Sequence, residues 1–222
     1  MTVDEVYTLM QYIVSKNIQQ GYLSPADFNK IINQAQTSYV AYMLGDVQKY
    51  APKRPIPPTE YGNTLSARTR MTPIIKQWVL SVDNTGYSGY PQDYVQVDAM
   101  WSYYGYQRVR EVEQDKMWAY YNSVIDPVAT NPIYMLLDTG FQFYPEDITN
   151  ARLSYVSQPP QIVWGYTIVS GRPVYDPANS TDPVWADVTL MDIISRALVM
   201  VGVNLQSPVV MQYANDLKNN GQ

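Results

Sequence analysis

The sequence contains no cysteine and no histidine. Those absences remove cysteine and histidine nucleophiles, the Ser-His-Asp triad, and thiolate or imidazole metal ligands. Disulfides go with them, so cysteine usage says nothing about redox compartment. An enzyme built on this chain would have to work with carboxylates, lysine, tyrosine and serine. Charged residues are few, at 16%, against 46% hydrophobic, which excludes a disordered polyelectrolyte. Long apolar runs are absent too: the longest, Val188 to Val203, contains Asp192 and Arg196, so no transmembrane span and no membrane partner are expected. Asp4 and Glu5 stand where a secretory leader carries basic residues, so no signal peptide is expected, and the Asn179-Ser180-Thr181 sequon is given no role. There is no phosphate-binding loop, dinucleotide fingerprint or nucleophile elbow.

Phenylalanine is the scarce aromatic: 3 Phe stand beside 21 Tyr and 5 Trp. Phe fills a core without a hydroxyl to satisfy, whereas Tyr and Trp suit places where one end is buried and the other meets a partner or water. With 16 Pro among 222 residues, this composition describes a loop-rich protein with large contact surfaces, long enough for one domain or a domain with an appendage. The net charge of −5 and the pI near 4.7 argue against a protein that neutralises phosphates. Tyr103, Tyr104, Tyr106, Tyr120 and Tyr121 could stack on bases, but no dense basic patch interleaves with them.

Periodicity predicts an α+β chain: an N-terminal helical hairpin, a central antiparallel sheet of short strands and a C-terminal helix pair. Val6, Leu9, Met10, Ile13 and Val14 fall at helical spacing between Asp4 and about Gln19, before Gly21. Ser24 is the expected N-cap of the next helix, with Pro25 at its first position and a stripe of Phe28, Ile31, Ile32, Ala35 and Tyr39 up to Gly45. Residues 1–50 thus form the hairpin, 51–72 a proline-rich arm, and 73–222 an α+β core. The arm, Ala51-Pro-Lys-Arg-Pro-Ile-Pro-Pro58, cannot be helical. With Lys49, Lys53, Arg54, Arg68 and Arg70 opposed only by Glu60, it is the one locally basic stretch: a solvated linker, or an arm that docks on a neighbour or faces DNA.

Strands are expected from Thr72 onward. Ile74, Trp78, Leu80 and Val82 share one face; Val95, Val97, Ala99 and Trp101 share another; Gly105 turns the chain into Tyr106 to Glu113. Asp115 should cap a short helix carrying Met117, Trp118 and Tyr121. A hairpin joins Ile133–Leu137 to Phe141–Tyr144 through Asp138-Thr-Gly140, and strands follow at Ala151–Ser157 and Ile162–Thr167. Asp182-Pro183 is read as the cap of a helix with the stripe Val188, Met191, Ile194, Leu198 and Val201, with Asp192 and Arg196 paired i,i+4 and Gly202 at its end; Ser207-Pro208 opens a last helix to about Lys218.

Few residues carry chemistry. Asp176 to Asp187 places acids at the first, seventh and twelfth positions of a calcium loop, but Ala178, Thr181 and Pro183 break the pattern, and a loop leading to a helix cap accounts for it better. Glu111 and Glu113 lie two apart, so on a strand they would share a face, as a glycosidase pair requires, yet Arg108 and Arg110 alternate with them as in a charge-balanced sheet surface.

The order Ser154-Tyr155-Val156, Pro159 to Trp164, Val174-Tyr175-Asp176-Pro177-Ala178-Asn179-Ser180, the helix Asp187 to Met200, Val201-Gly-Val-Asn-Leu205 and Gln212-Tyr213-Ala214 resembles virion structural proteins of crAss-like tailed bacteriophages of Bacteroidetes hosts. Within that group it is similar to the ring, or collar, proteins stacked between portal and tail. Arg108-Val-Arg-Glu-Val-Glu113 and the helix Asp115 to Asn122 fit the same family, and the similarity runs from about Thr72 to the end. The resemblance implies a non-enzymatic head–tail connector subunit in the neck of the virion, assembled in the host cytoplasm without cofactor or metal. It implies a homo-oligomeric ring of twelve copies touching portal and other ring or tail proteins, with double-stranded DNA passing through without sequence-specific binding. On this reading the interface residues are Lys53, Arg54, Pro55, Pro57 and Pro58 of the arm, then Tyr103, Tyr104, Tyr106, Arg108 and Arg110. The alternative is a virion carbohydrate-binding or glycoside-cleaving domain using a Tyr/Trp platform with Glu111 and Glu113.

Overall fold

The structure, a computed structural model, describes residues 1–17, 22–48, 68–102, 107–120 and 126–202. It is mixed, with helices towards both ends and antiparallel sheets in the middle, as the sequence predicts. The chain divides into two compact units. One combines Met1–Pro73 with the chain from Pro159 onward, and the other is Ile74–Gln158. The sequence division groups everything after residue 72 together. In the structure the C-terminal helix lies instead with the N-terminal ones, because its apolar face packs along theirs.

In the first unit, α1 (Val3–Asn17) opens with a reciprocal cap: the Glu5 N–H donates to Thr2 Oγ1 (3.3 Å) and the Thr2 N–H to Glu5 Oε2 (2.9 Å). The sequence assigns Asp182 to the later helix; here it accepts the Val3 N–H at 2.7 Å and so caps α1. Helix α2 (Pro25–Gln48) starts at the expected cap, with Ser24 Oγ accepting the Asp27 N–H at 3.2 Å. It runs past Gly45, where the site is open and nothing forces a stop. Val6, Met10 and Val14 of α1 and Phe28, Ile32, Ala35 and Tyr39 of α2 are buried. Tyr7 meets Phe28 edge-on, with ring centroids 5.1 Å apart, and α2 lies mainly along α3 (Asp187–Met200).

Helix α3 is rotated from its predicted stripe. Leu190, Ile193, Ile194, Ala197 and Leu198 are buried, whereas Val188 and Met191 are exposed. Val188, Met191 and Val199 add apolar residues to the side that also carries Asp192 and Ser195, which blurs the periodicity. Asp192 pairs with Arg70 (2.9 Å) instead of Arg196, and Arg196 lies over the Tyr42 ring, 4.6 Å from its centroid. Gly202, with φ 87°, stands just past the helix as expected.

The chain from Pro160 to Trp164 crosses α2 in extended form, held by three amide side chains. Asn29 accepts the Trp164 N–H (2.8 Å) and donates to its carbonyl (3.2 Å); Asn33 does the same for Ile162 (2.9 and 2.8 Å); Gln36 donates to the Pro160 carbonyl (3.0 Å). Four helical residues rise about 6 Å and two extended residues advance about 6.6 Å, so one helix face can satisfy alternate residues of an antiparallel strand. The helix thereby acts as a sheet edge. Gln36 also accepts the buried Trp185 Nε1–H at 2.7 Å.

The second unit holds two sheets. β1 (Ile75–Ser81), β7 (Asn150–Ser157) and β3 (Tyr94–Ser102) are ordered β1-β7-β3, all antiparallel. β2 (Tyr87–Gly89), β6 (Gly140–Tyr144), β5 (Ile133–Leu136) and β4 (Arg110–Glu111) are ordered β2-β6-β5-β4, with β4 parallel to β5. The hairpin at Asp138-Thr-Gly140 forms as predicted, closed by the Leu137 N–H on the Gly140 carbonyl at 2.8 Å. A Cβ at Gly140 would lie 2.2 Å from the Ser88 carbonyl oxygen, so only glycine lets β2 come this close.

Phe141 and Phe143, with Leu80, Met100, Leu153 and Ala151, form this unit's core; like Phe28, both are fully buried. Three tyrosines that enter or border the same core each have a partner for the hydroxyl. Tyr134 donates to Glu111 (3.1 Å), Tyr155 to Asp93 (2.8 Å) and Tyr90 to the Leu137 carbonyl (2.5 Å). Two strand faces differ from the sequence reading. Trp78 is 56% exposed, since β1 reaches the core only at Leu80. In β3, register irregularities between Tyr94 and Gln96 and between Val97 and Ala99 shift the alternation, so Met100 and Ser102 point inward while Val95 is exposed. The short helix at Asp115 is a 3-10 segment, Gln114–Ala119, with Glu113 at its N-cap position.

Candidate subunit interface

Of the interface residues expected from the sequence, Lys53, Arg54, Pro55, Pro57, Pro58, Tyr103, Tyr104 and Tyr106 lie outside the described residues, as do Gly21, Gly105, Tyr121, most of the proline-rich arm and the last predicted helix. Arg108 and Arg110 are described, and both are exposed. Val109 and Val112 beside them are buried in separate clusters, so the strand presents its charges outward. Arg110 donates to Asn131 Oδ1, and the backbone of Arg108 bridges to Trp101. Glu111 accepts from Tyr134, whereas Glu113 pairs with Lys116 at the start of the 3-10 segment. The strand ends at Glu111, so the shared face needed by a carboxylate pair is not made. Asp176 accepts from Ala178 N (3.0 Å) and Asn179 Nδ2 (2.7 Å), closing a 3-10 turn, and the described residues contain no cluster of three acidic side chains that could hold a metal ion.

What the fold exposes is apolar. β1 forms the rim of its sheet: β7 pairs with one side, and no described strand pairs with the other. Trp78 and Val79, on opposite faces of this rim, are 56% and 48% exposed. The strand is pinned below by Lys76, which pairs with Asp93 at 2.5 Å. The Lys76 ammonium, with help from the Tyr155 hydroxyl, holds the Asp93 carboxyl below its ordinary range.

In the first unit, β8 (Tyr166–Val169) and β9 (Arg172–Tyr175) form a two-stranded hairpin that the sequence reading missed. Ser170 and Gly171, with φ of 51° and 77°, make its two-residue turn, the geometry that matches strand twist. The Ser-Gly pair directly after the β-branched run Thr167-Ile168-Val169 was the available signal. All four residues of β8 are exposed, Ile168 at 72% and Val169 at 55%. At its base, Trp164 stacks between Tyr7 (4.3 Å) and Tyr166 (5.9 Å) and donates its Nε1–H to Asp4 (2.9 Å). An open cleft of about 590 Å³ lies here, lined among others by Asp4, Gln11, Tyr22 and Arg172. Of the aromatic rings that line it, Tyr7 and Trp164 are buried and Tyr22 is exposed. Further along, the outer side of α3 exposes Val188, Met191, Val199 and Met200. No helix among the described residues is long and apolar enough to cross a membrane.

Compared with known proteins, the chain matches no family model and none of the curated proteins.

Proposed function

We propose that this chain is a non-enzymatic structural protein of a tailed-phage virion, a ring subunit of the head–tail connector in the neck around the DNA channel. The observation that carries the reading is the outer side of α3, where Val188, Met191, Val199 and Met200 stand exposed among Asp187, Asp192 and Ser195. Large apolar side chains grouped on the exposed side of one helix are a surface suited to association. The sequence resemblance from about Thr72 onward supports the particular setting: twelve copies in a closed ring, with portal and tail proteins as neighbours. The net charge of −5 suits a channel wall that double-stranded DNA passes without being held. Ring closure demands a heterologous contact, in which one face of each subunit meets a different face of the next.

Native mass measurement and negative-stain imaging of the purified chain, alone and mixed with a portal, test the proposal. A closed ring in either setting is expected. A monomer in both, at every concentration, overturns it.

A further inference from the structure

Resting on that reading, we propose that the contact between neighbouring copies is a strand addition: the outer edge of β8 in one copy pairs with the free edge of β1 in the next. Each chain carries both halves of such a joint. β1 has β7 on one side and no strand on the other among the described residues, and β8 has only β9 beside it. A two-stranded hairpin with no cover is marginal in water, so a hairpin this apolar calls for a sheet to join.

The hairpin's own chemistry selects the edge. Val169 and Arg172 flank the two-residue turn, so they form a hydrogen-bonded pair, and the alternation makes Ile168 opposite Pro173 a pair whose backbone groups face outward. On the β9 side the outward positions are Pro173, which has no N–H to give, and Tyr175 at the base of the hairpin. On the β8 side, Ile168 and Tyr166 present both N–H and C=O. The β9 edge is therefore interrupted in its middle by Pro173, while the β8 edge is continuous.

The occupant of the β1 edge is argued from charge as well as shape. The hairpin carries a single charged residue, Arg172. Residues 74–158, to which β1 belongs, hold five basic and ten acidic side chains and so the whole net charge of −5, while the remainder of the chain is balanced. A hairpin with one cationic side chain thus meets a unit of net negative charge in another copy, where the only charged residue of β1, Lys76, is already paired with Asp93. Pairing would cover Ile168 and Val169 of one subunit with Trp78 and Val79 of its neighbour. Because the two surfaces differ and reside on one chain, the contact repeats head to tail, as ring closure requires.

Two substitutions separate this joint from folding. Ile168→Pro removes only an N–H that faces away from β9, and Trp78→Lys places a charge on an exposed rim position. Association is measured by analytical ultracentrifugation, in the setting, chain alone or chain with portal, where the unaltered chain assembles, with circular dichroism on every variant. Both variants should associate at least about tenfold more weakly with unchanged spectra. In a chain free of cysteine, the pair Gln77→Cys with Thr167→Cys should, on oxidation, give a ladder of covalent multimers, while each single variant stops at dimers. An unaltered chain that assembles, together with both variants assembling equally well, overturns the strand addition and leaves the connector reading standing. A chain that assembles in neither setting overturns both.

Discussion

Replacing Asn33 with alanine should destabilise the helical unit by about 2–4 kcal/mol. The Asn33 carboxamide accepts the Ile162 N–H at 2.9 Å and donates to the Ile162 carbonyl at 2.8 Å. Ile162 is 1% exposed, so water cannot easily replace what is lost. Each backbone group left unpaired in such a place costs about 1–3 kcal/mol, and partial hydration of the half-buried side chain site trims the sum. The loss is a large fraction of a typical stability of about 5–15 kcal/mol. Urea denaturation followed by circular dichroism would show the midpoint falling by about 1–2 M, given a slope of about 1–3 kcal/mol/M. Amide exchange at Ile162 should accelerate while amides of the sheet unit keep their protection. Gln34→Ala, at an exposed position on the same helix, should stay within about 0.5 kcal/mol. The idea that α2 serves as a sheet edge fails if Asn33→Ala is as mild as this control, or if Ile162 exchange does not change.

Tyr39→Phe tests the opposite case. The Tyr39 hydroxyl is buried with no hydrogen-bond partner among the described residues, so its removal should be neutral or stabilise by about 1 kcal/mol, read as an unchanged or raised melting temperature. Stability should also fall at both pH extremes. Asp93 titrates below its ordinary value of 3.8, so the fold binds fewer protons there than the unfolded chain, and its contribution disappears as pH drops through that depressed range. Tyr94 and Tyr155 are pushed up to about 12, chiefly by burial, and in Tyr155 also by its bond to Asp93. Their contribution is complete below pH 10, the ordinary phenol value, and is lost between about 10 and 12. Tyrosinate absorbance should show late-titrating phenols, and Tyr155→Phe should reduce the alkaline loss; a single titration step near 10 would contradict the assigned burial.

Local chemistry was legible wherever one residue type dictates one geometry. Ser24-Pro25 opened a helix, Asp138-Thr-Gly140 closed a hairpin, Gly202 ended α3, and the three phenylalanines went to the interior because they alone among the aromatics bring no polar atom. Faces were less legible. α3 mixes apolar residues into its exposed side, β3 carries two irregularities that no alternation pattern reveals, and β1 runs past the edge of its core, so Trp78 looked inward by period and stands outward in fact. The proposed joint belongs to this second group: Ser170-Gly171 and Pro173 are visible in the chain, but their meaning depends on β8 having no second neighbour besides β9 among the described residues.

By itself the amino-acid order determined the α+β plan, most element boundaries, and the exclusion of thiol and imidazole chemistry, since these follow from neighbours a few positions apart and from composition. Only the tertiary structure decided that the two ends of the chain share one unit, that Asp182 caps a helix starting 179 residues earlier, and that Asn29, Asn33 and Gln36 hold a passing strand. Such pairings join residues far apart in sequence, and whether a donor finds its acceptor there depends on where packing brings the two, a quantity no local pattern contains.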